Sequence, residues 1–411
     1  MHRKQTVPLP CAVLAVAVLL AAVPCSSQER SPNTDPRNGA VPLPSLSEEW
    51  RAHLVLDNDG VGVWTVDSFN VFEQFACPEI VGLDDKGRCT VLEGYSGRWR
   101  PVTTISDREW LGVLAFGDVD PRVSGCELYT GGKRGNLYQV PAYRNGVLDN
   151  RRIAHLPGRE IHTIVGGDLD PTHPGKELLL FTRPGGLYRV SPTGPNGTFE
   201  TKPLGDLAGR VRQAVVLPAK EGEAPEIGTV SRAGRFALLR ITPDGPKWTC
   251  VYEAAMGKGR LALRPPRPGQ PTVVYTTHDD GRILRHERRG KDAWHTETIY
   301  LGPQGPRGVV AGAFDKDPSV ETVAVFGYSR RLEVLKRTPA GWQVETIFED
   351  LDKGHWLATA ELDGRNNTRE IITSGYSGRV VLLSRPPGYG RPELADPADR
   401  VTPGPKAPPA K

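Results

Sequence analysis

A glutamate followed by an apolar run recurs along this chain as Glu79-Ile80, Glu127-Leu128, Glu177-Leu178, Glu226-Ile227, Glu321-Thr322 and Glu370-Ile371, with Thr272-Val273 in the remaining place. Successive anchors lie about 49 residues apart, so the body of the chain is built from seven copies of one unit. Around each anchor the order is the same: an apolar strand ending in an acidic turn, a second strand, a Gly-containing tight turn, a third strand, then a longer loop and a fourth strand. "HTIVGGDLDPTHPGKELLLFTRPGGLYRV" and "GVVAGAFDKDPSVETVAVFGYSRRLEVLKR" are two such copies, and the fourth strands share a Trp followed by alternation, as in "WTCVYEA", "WHTETIY" and "WQVETIF". The 46 glycines and 38 prolines are scattered at turn-like intervals, which suits short strands and excludes long helices.

Four short antiparallel strands repeated seven times predict an all-β fold, a seven-bladed β-propeller. Its closure is also legible. "WRAHLVL", Trp50 to Leu56, has the fourth-strand pattern but precedes the first complete unit, whereas the last unit stops after its third strand at "VVLLSR". The N-terminal strand is therefore expected to complete the C-terminal blade and protect its edge. The predicted organisation is a signal peptide over 1–27, a linker over 28–47, one propeller domain over 48–385 and a disordered Pro-rich tail over 386–411.

The basic start "MHRK", the apolar "CAVLAVAVLLAAV" and the small polar stretch after it follow the order of an export signal. The run is short for a membrane anchor, and Pro24 before Cys25 fits a lipid-attachment site badly. An exported location (periplasmic, cell-surface or extracellular) is expected, with no transmembrane anchor. A net charge of +4 without a basic run argues against nucleic acid as a partner. Asn196-Gly-Thr and Asn366-Asn-Thr have the form of glycosylation sequons. Six cysteines are present, with no CxxC pair, and their spacing fixes no disulfide.

The segments "FGDVDPRVSGCEL", "GGDLDPTHPGKEL" and "AELDGRNNTREI" resemble those of the FG-GAP/VCBS class of propeller repeat, also used in the integrin α-subunit head. That resemblance implies acidic turns able to hold calcium through oxygen ligands. The positions matching it are Asp118, Asp120, Asp168, Asp170, Asp315, Asp317 and Asp363, with Glu361 beside the last. The third ligand place is Arg122, Thr172, Ser319 or Arg365, so capping of the turns by these carboxylates is the first reading and calcium the second. The anchor glutamates, being repeated, read as structural, bonding the backbone of a neighbouring blade.

In such a blade the start of the first strand and the turn between strands two and three share one face. His162 and His355 start their innermost strands there; the turns add Lys133, Arg134, Arg183, Arg232, His278, Tyr328 and Tyr376, and the strand starts Arg210, Arg260 and Arg307. A basic and aromatic face suits an anionic or sugar-like ligand. The expected function is non-catalytic binding of a carbohydrate, a surface polymer or a protein partner, with calcium the only cofactor in prospect. The alternative is a carbohydrate-active lyase or dehydratase with His162 or His355 as base. No GxSxG, HExxH, Walker or dinucleotide motif is present.

Overall fold

The computed structural model describes residues 40–71, 78–93, 99–123, 125–140, 150–194, 197–207, 209–219, 225–362 and 364–391. The expected signal peptide, most of the tail, Asp363 and Asn196 lie outside these residues. The described residues contain no helix long and apolar enough to cross a membrane.

Seven antiparallel sheets form the molecule, each made from strands consecutive in the chain except the last. The innermost strands are Val63–Phe69, Leu111–Gly117, Glu160–Gly167, Val211–Leu217, Lys258–Leu263, Pro306–Gly312 and Gly354–Ala360, for blades 1 to 7 in order. Each packs against the innermost strands of both neighbours, the seventh against the first, so the ring is closed. The propeller expected from the repeat is the structure.

The burial pattern follows from position in the blade. The second strands, such as Glu79–Asp84 and Glu127–Gly132, are buried along their whole length, because a sheet lies over both of their faces. An outer strand such as Thr198–Gly205 alternates between exposed and half-buried residues, as a strand with one solvated face must. Among the described residues the buried apolar side chains form seven clusters, each shared by two adjacent blades. The core of this protein is therefore seven interfaces between sheets rather than one central mass.

Closure occurs as predicted and goes one strand further. Arg51–Asp57 pairs with Arg379–Ser384 of blade 7, and Val41–Leu43, within the segment expected to be a linker, adds a fifth strand outside it. The closing strand contributes Trp50 and Ala52 to the core shared with blade 6 and Val55 to the core shared with blade 1. Arg385, just beyond the last C-terminal strand, lies 4.1 Å from the Trp50 ring and 4.6 Å from the Tyr389 ring and bonds Glu49 at 2.8 Å, clamping the two chain ends together.

The anchor glutamates are structural: those of blades 2, 3 and 7 act on the backbone of their own blade, whereas Glu226 and Glu321 take Arg288 and Arg285 from the neighbouring blade. Glu177 accepts the Leu169 and Asp170 backbone N–H groups at 2.6 and 2.7 Å, Glu127 accepts those of Val119 and Asp120, and Glu370 accepts that of Leu362. Each thus satisfies the acidic turn that precedes it, where no strand partner is available. Burial pushes the carboxyls of Glu127 and Glu177 up to about 7 in spite of these bonds. Asn366 is buried, with its amide nitrogen on the Arg385 carbonyl and its amide oxygen taking Thr368, so its side chain is not exposed in the folded protein.

Because Trp50 is 2% exposed, Trp50→Ala opens a cavity at the seam. It should cost about 3–5 kcal/mol in denaturant unfolding, whereas Trp248→Ala, on an exposed outer strand, should cost well under about 1 kcal/mol.

Candidate site at the channel mouth

All seven innermost strands share a register fault near their first residues. The ladder skips Trp64, Gly112, His162, Arg212, Arg307 and His355 in six blades and the pair Gly259-Arg260 in blade 5. A bulged residue leaves the hydrogen-bonded ladder, and its side chain is re-aimed. On the strand nearest the axis, that turns one position per blade toward the channel mouth. A Cβ on Gly112 would overlap the indole of Trp110, so Trp110 fills the place that blade 2 leaves empty.

The mouth is divided. Blades 7, 1, 2 and 3 supply a continuous aromatic arc: the His355 and Trp64 ring centroids lie 4.2 Å apart, Trp64 and Trp110 6.0 Å, and Trp110 and His162 5.3 Å. Tyr376 extends it at 5.4 Å from Trp64, and Tyr328 follows at 6.2 Å from Tyr376. Trp64 donates its indole N–H to Asp85. His355 Nδ1 donates to the Trp64 carbonyl at 2.7 Å, which leaves Nε2 as its basic nitrogen.

Blades 4, 5 and 6 supply arginines. Arg212 bonds the Lys258 carbonyl at 2.6 Å and Asp279 at 3.0 Å, and Arg307 bonds Asp279 as well. Arg307 also lies 4.7 Å from the Tyr328 ring centre. Arg260 donates to the Arg212 carbonyl at 2.5 Å, and Arg210 to Nδ1 of His162 at 3.2 Å. Among the described residues neither Arg210 nor Arg260 has a carboxylate partner, and the buried Nε–H of each finds no acceptor. Burial and mutual repulsion hold Arg210, Arg212 and Arg260 below the ordinary guanidinium range.

His162 is held between the two arcs. A guanidinium can only donate, so Nδ1 accepts from Arg210, and Nε2–H donates to Glu160 at 3.1 Å. Burial, followed by the charges of Arg210, Arg260 and Arg183, pushes its imidazole down to about 3. The His355 imidazole is likewise driven well below its usual value, first by burial and then by Arg260. Both rings are neutral near pH 7.

Blades 5 and 7 also touch below the arcs. The Arg260 guanidinium stacks 4.5 Å from the Trp356 ring centroid. These residues belong to blades 5 and 7, so their contact passes in front of blade 6, where Gly308 has no side chain and a Cβ would approach Leu357 and the Trp356 backbone to about 3 Å.

Of the positions expected on this face, His162, His355, Arg307, Tyr328 and Tyr376 meet at the mouth. Arg183 lies beside it, exposed and 3.6 Å from Glu160. Lys133 sits on the rim, 3.4 Å from Glu109, and Arg232 is exposed, its charge acting on Arg210 and Arg212. His278 is not on the face: it ends the strand Val273–His278 and is fully buried against Lys258 Nζ at 2.5 Å. Arg212, Trp64, Trp110 and Asp279 were not anticipated. Trp64 and Arg212 could have been found by reading down one column of the repeat, 14 or 15 residues ahead of every glutamate anchor.

On the opposite face the acidic turns bond to the protein itself. Asp120 pairs with Arg122 at 2.5 Å and Arg151 at 2.7 Å, Asp170 with Arg189 at 2.8 Å, Asp118 with Lys176 at 2.6 Å, and Asp315 with Lys336. Asp317 takes the Ser319 N–H, and Asp168 is exposed. Among the described residues no three metal-ligating side chains converge.

No family model and no curated protein matches the sequence. Solved structures similar in fold include two propellers. The WD40 β-propeller domain of Doa1 aligns with a TM-score of 0.54 at 11% identity, over 81% of this chain and 97% of that one. BBS1N, solved in complex with ARL6DN, aligns with a TM-score of 0.54 at 12% identity, over 83% and 98%. At that identity the likeness is one of fold: the chain is a β-propeller.

The imidazole of His162 should remain neutral down to pH 4, as read by long-range proton–nitrogen NMR. Replacing Arg210 removes a neighbouring positive charge, so Arg210→Met should move the titration midpoint upward, by about one pH unit or more.

Proposed function

We propose that this protein is an exported binding propeller that holds an acidic carbohydrate or surface polymer at its channel mouth without transforming it. The observation that carries the reading is the divided mouth: aromatic rings across four blades face four arginines across three, with one directly bonded carboxylate, Asp279, among those arginines. Guanidinium groups without acid partners favour a carboxylate or sulfate ligand. Aromatic rings offer a surface for the apolar face of a sugar. The export signal read from the sequence puts such a face where extracellular polymers are met. The likeness of the acidic-turn segments to FG-GAP/VCBS repeats fits an extracellular binding role.

The non-catalytic part rests on His162, both of whose ring nitrogens are engaged, by Arg210 and Glu160. A general base needs a free lone pair directed at its substrate. In a lyase built here that duty would fall to Nε2 of His355.

Purified protein screened against uronate-containing and sulfated polymers, with neutral glucans as controls, should bind the acidic members and release them as salt rises. Arg212→Ala and Arg307→Ala should each weaken binding about tenfold or more. Ultraviolet absorbance of unsaturated sugar should stay flat; a rise would replace binding by lyase chemistry, and failure to bind any acidic polymer would remove the reading altogether.

A further inference from the structure

The mouth face carries a second surface, outside the ring of bulged residues. Each connection from an outer strand to the next innermost strand opens on this face, because the innermost strands begin there. At or beside the connections into blades 5, 6 and 7, Met256, Leu301 and Leu351 are 45%, 69% and 73% exposed. Tyr328, on the turn of blade 6, is exposed between the last two. At the same place the connections into blades 1 to 4 offer Asp59, Arg108, Gly158 and Asp206 to solvent. The other large apolar side chains exposed among the described residues lie elsewhere: Val41 and Leu46 come ahead of the closing strand, and Trp248 and Val344 lie on outer strands. We propose that the apolar patch over blades 4 to 6 docks an acidic protein segment, one that presents bulky apolar side chains among carboxylates. The proposal does not depend on the acidic-polymer reading.

The patch is continuous at its centre. The Gly302 N–H bonds the Gly281 carbonyl and the Tyr328 N–H bonds the Gly305 carbonyl, each at 3.1 Å, so the connection after Leu301 lies against the turns of blades 5 and 6. A Cβ on Gly305 would meet the Tyr328 ring at 2.7 Å, which seats that ring on the connection. Lys353, two residues past Leu351, brings its Nζ to 5.6 Å from the same ring centre. Single leucines on a surface are ordinary, whereas apolar side chains gathered on one part of one face and edged by charge mark a contact.

Charge names the partner. Arg232 stands at the Met256 end, where its carbonyl would lie 2.8 Å from a Cβ on Gly257, and Lys353 stands at the Leu351 end. Both are exposed, and neither meets a carboxylate among the described residues. Between them Arg212 and Arg307 share Asp279, while Arg330 is offset by Glu349 at 2.8 Å. The surplus is positive, so carboxylates on the docking segment complement it. Met256, Leu301 and Leu351 are aliphatic, and a glycan laid over them would set hydroxyls against groups that cannot bond them. Apolar side chains of a protein meet no such cost.

A randomised peptide library displayed on phage, selected on the purified protein, tests the proposal. Selected peptides should combine Asp or Glu with Leu, Phe or Trp, and their synthetic forms should bind less tightly as salt rises. Leu301→Ser and Leu351→Ser together should weaken them about tenfold or more, as should Arg232→Glu with Lys353→Glu, while Trp248→Ala changes nothing. All these positions are exposed, so native circular dichroism is expected of every variant. Failure to select any peptide, selection of peptides without acidic residues, or binding that ignores the leucine changes would overturn the proposal. Self-association in sedimentation that the leucine changes abolish would give the patch to a second copy and overturn it as well. Acidic-polymer binding by the leucine variant should stay within about twofold of the unaltered protein; its loss would assign the patch to the polymer site instead. Absence of polymer binding in the unaltered protein would remove the polymer reading and leave this one standing.

Discussion

The register fault in each innermost strand is the constraint on which the rest of this molecule depends. Residues on either side of it are bound to the ladder and the core: Val63, Leu111, Ile161 and Val211 precede the fault, and each is buried in an interface between blades. The bulged residue between them is released from both duties. Its identity can therefore change from blade to blade, as it does from Trp64 to Gly112, His162, Arg212 and Arg307, without disturbing the repeat that holds the ring together. Function and stability occupy adjacent residues but different directions in space.

Charge is treated differently at the mouth than elsewhere. In the body of the propeller buried arginines meet carboxylates: Arg189 has Asp170, Arg379 has Asp350, and Arg285 has Glu321. Pairing of this kind offsets the cost of removing charge from water. At the mouth the rule is broken. Arg212 and Arg307 share Asp279, while Arg260 rests on a backbone carbonyl and an indole, and Arg210 on an imidazole. The resulting repulsion is borne by a rigid frame of seven sheets, and an incoming anion would relieve it.

Much of the fold was readable because it is periodic. Seven anchors, four strands per copy and a stray fourth strand at the front leave little choice of architecture, and the closing strand Arg51–Asp57 lies where that logic puts it. What periodicity hides is direction within a repeat. The anchor glutamates look alike whether they reach forward to the next blade or back to their own turn, and only the fold shows Glu177 capping Leu169 and Asp170. His278 was expected in a turn but is the last ladder residue of its strand, paired with Lys258. A shift of one residue is enough to carry a side chain from the surface to the interior. His162 and His355 stood out as uncommon residues at a telling position, whereas Arg212 was lost among many arginines and Trp110 does not occupy the bulge at all.

The seam of the ring has a temporal meaning. Arg51–Asp57 is made before the first blade, and its partner Arg379–Ser384 only after the strands of the first six blades. Trp50 cannot find Arg385, nor Val55 its place beside blade 7, until every blade between them has been made. The mouth, formed by every blade at once, is completed in the same event. A truncated chain would thus lack not one seventh of the site but the circle that sets its two arcs opposite each other.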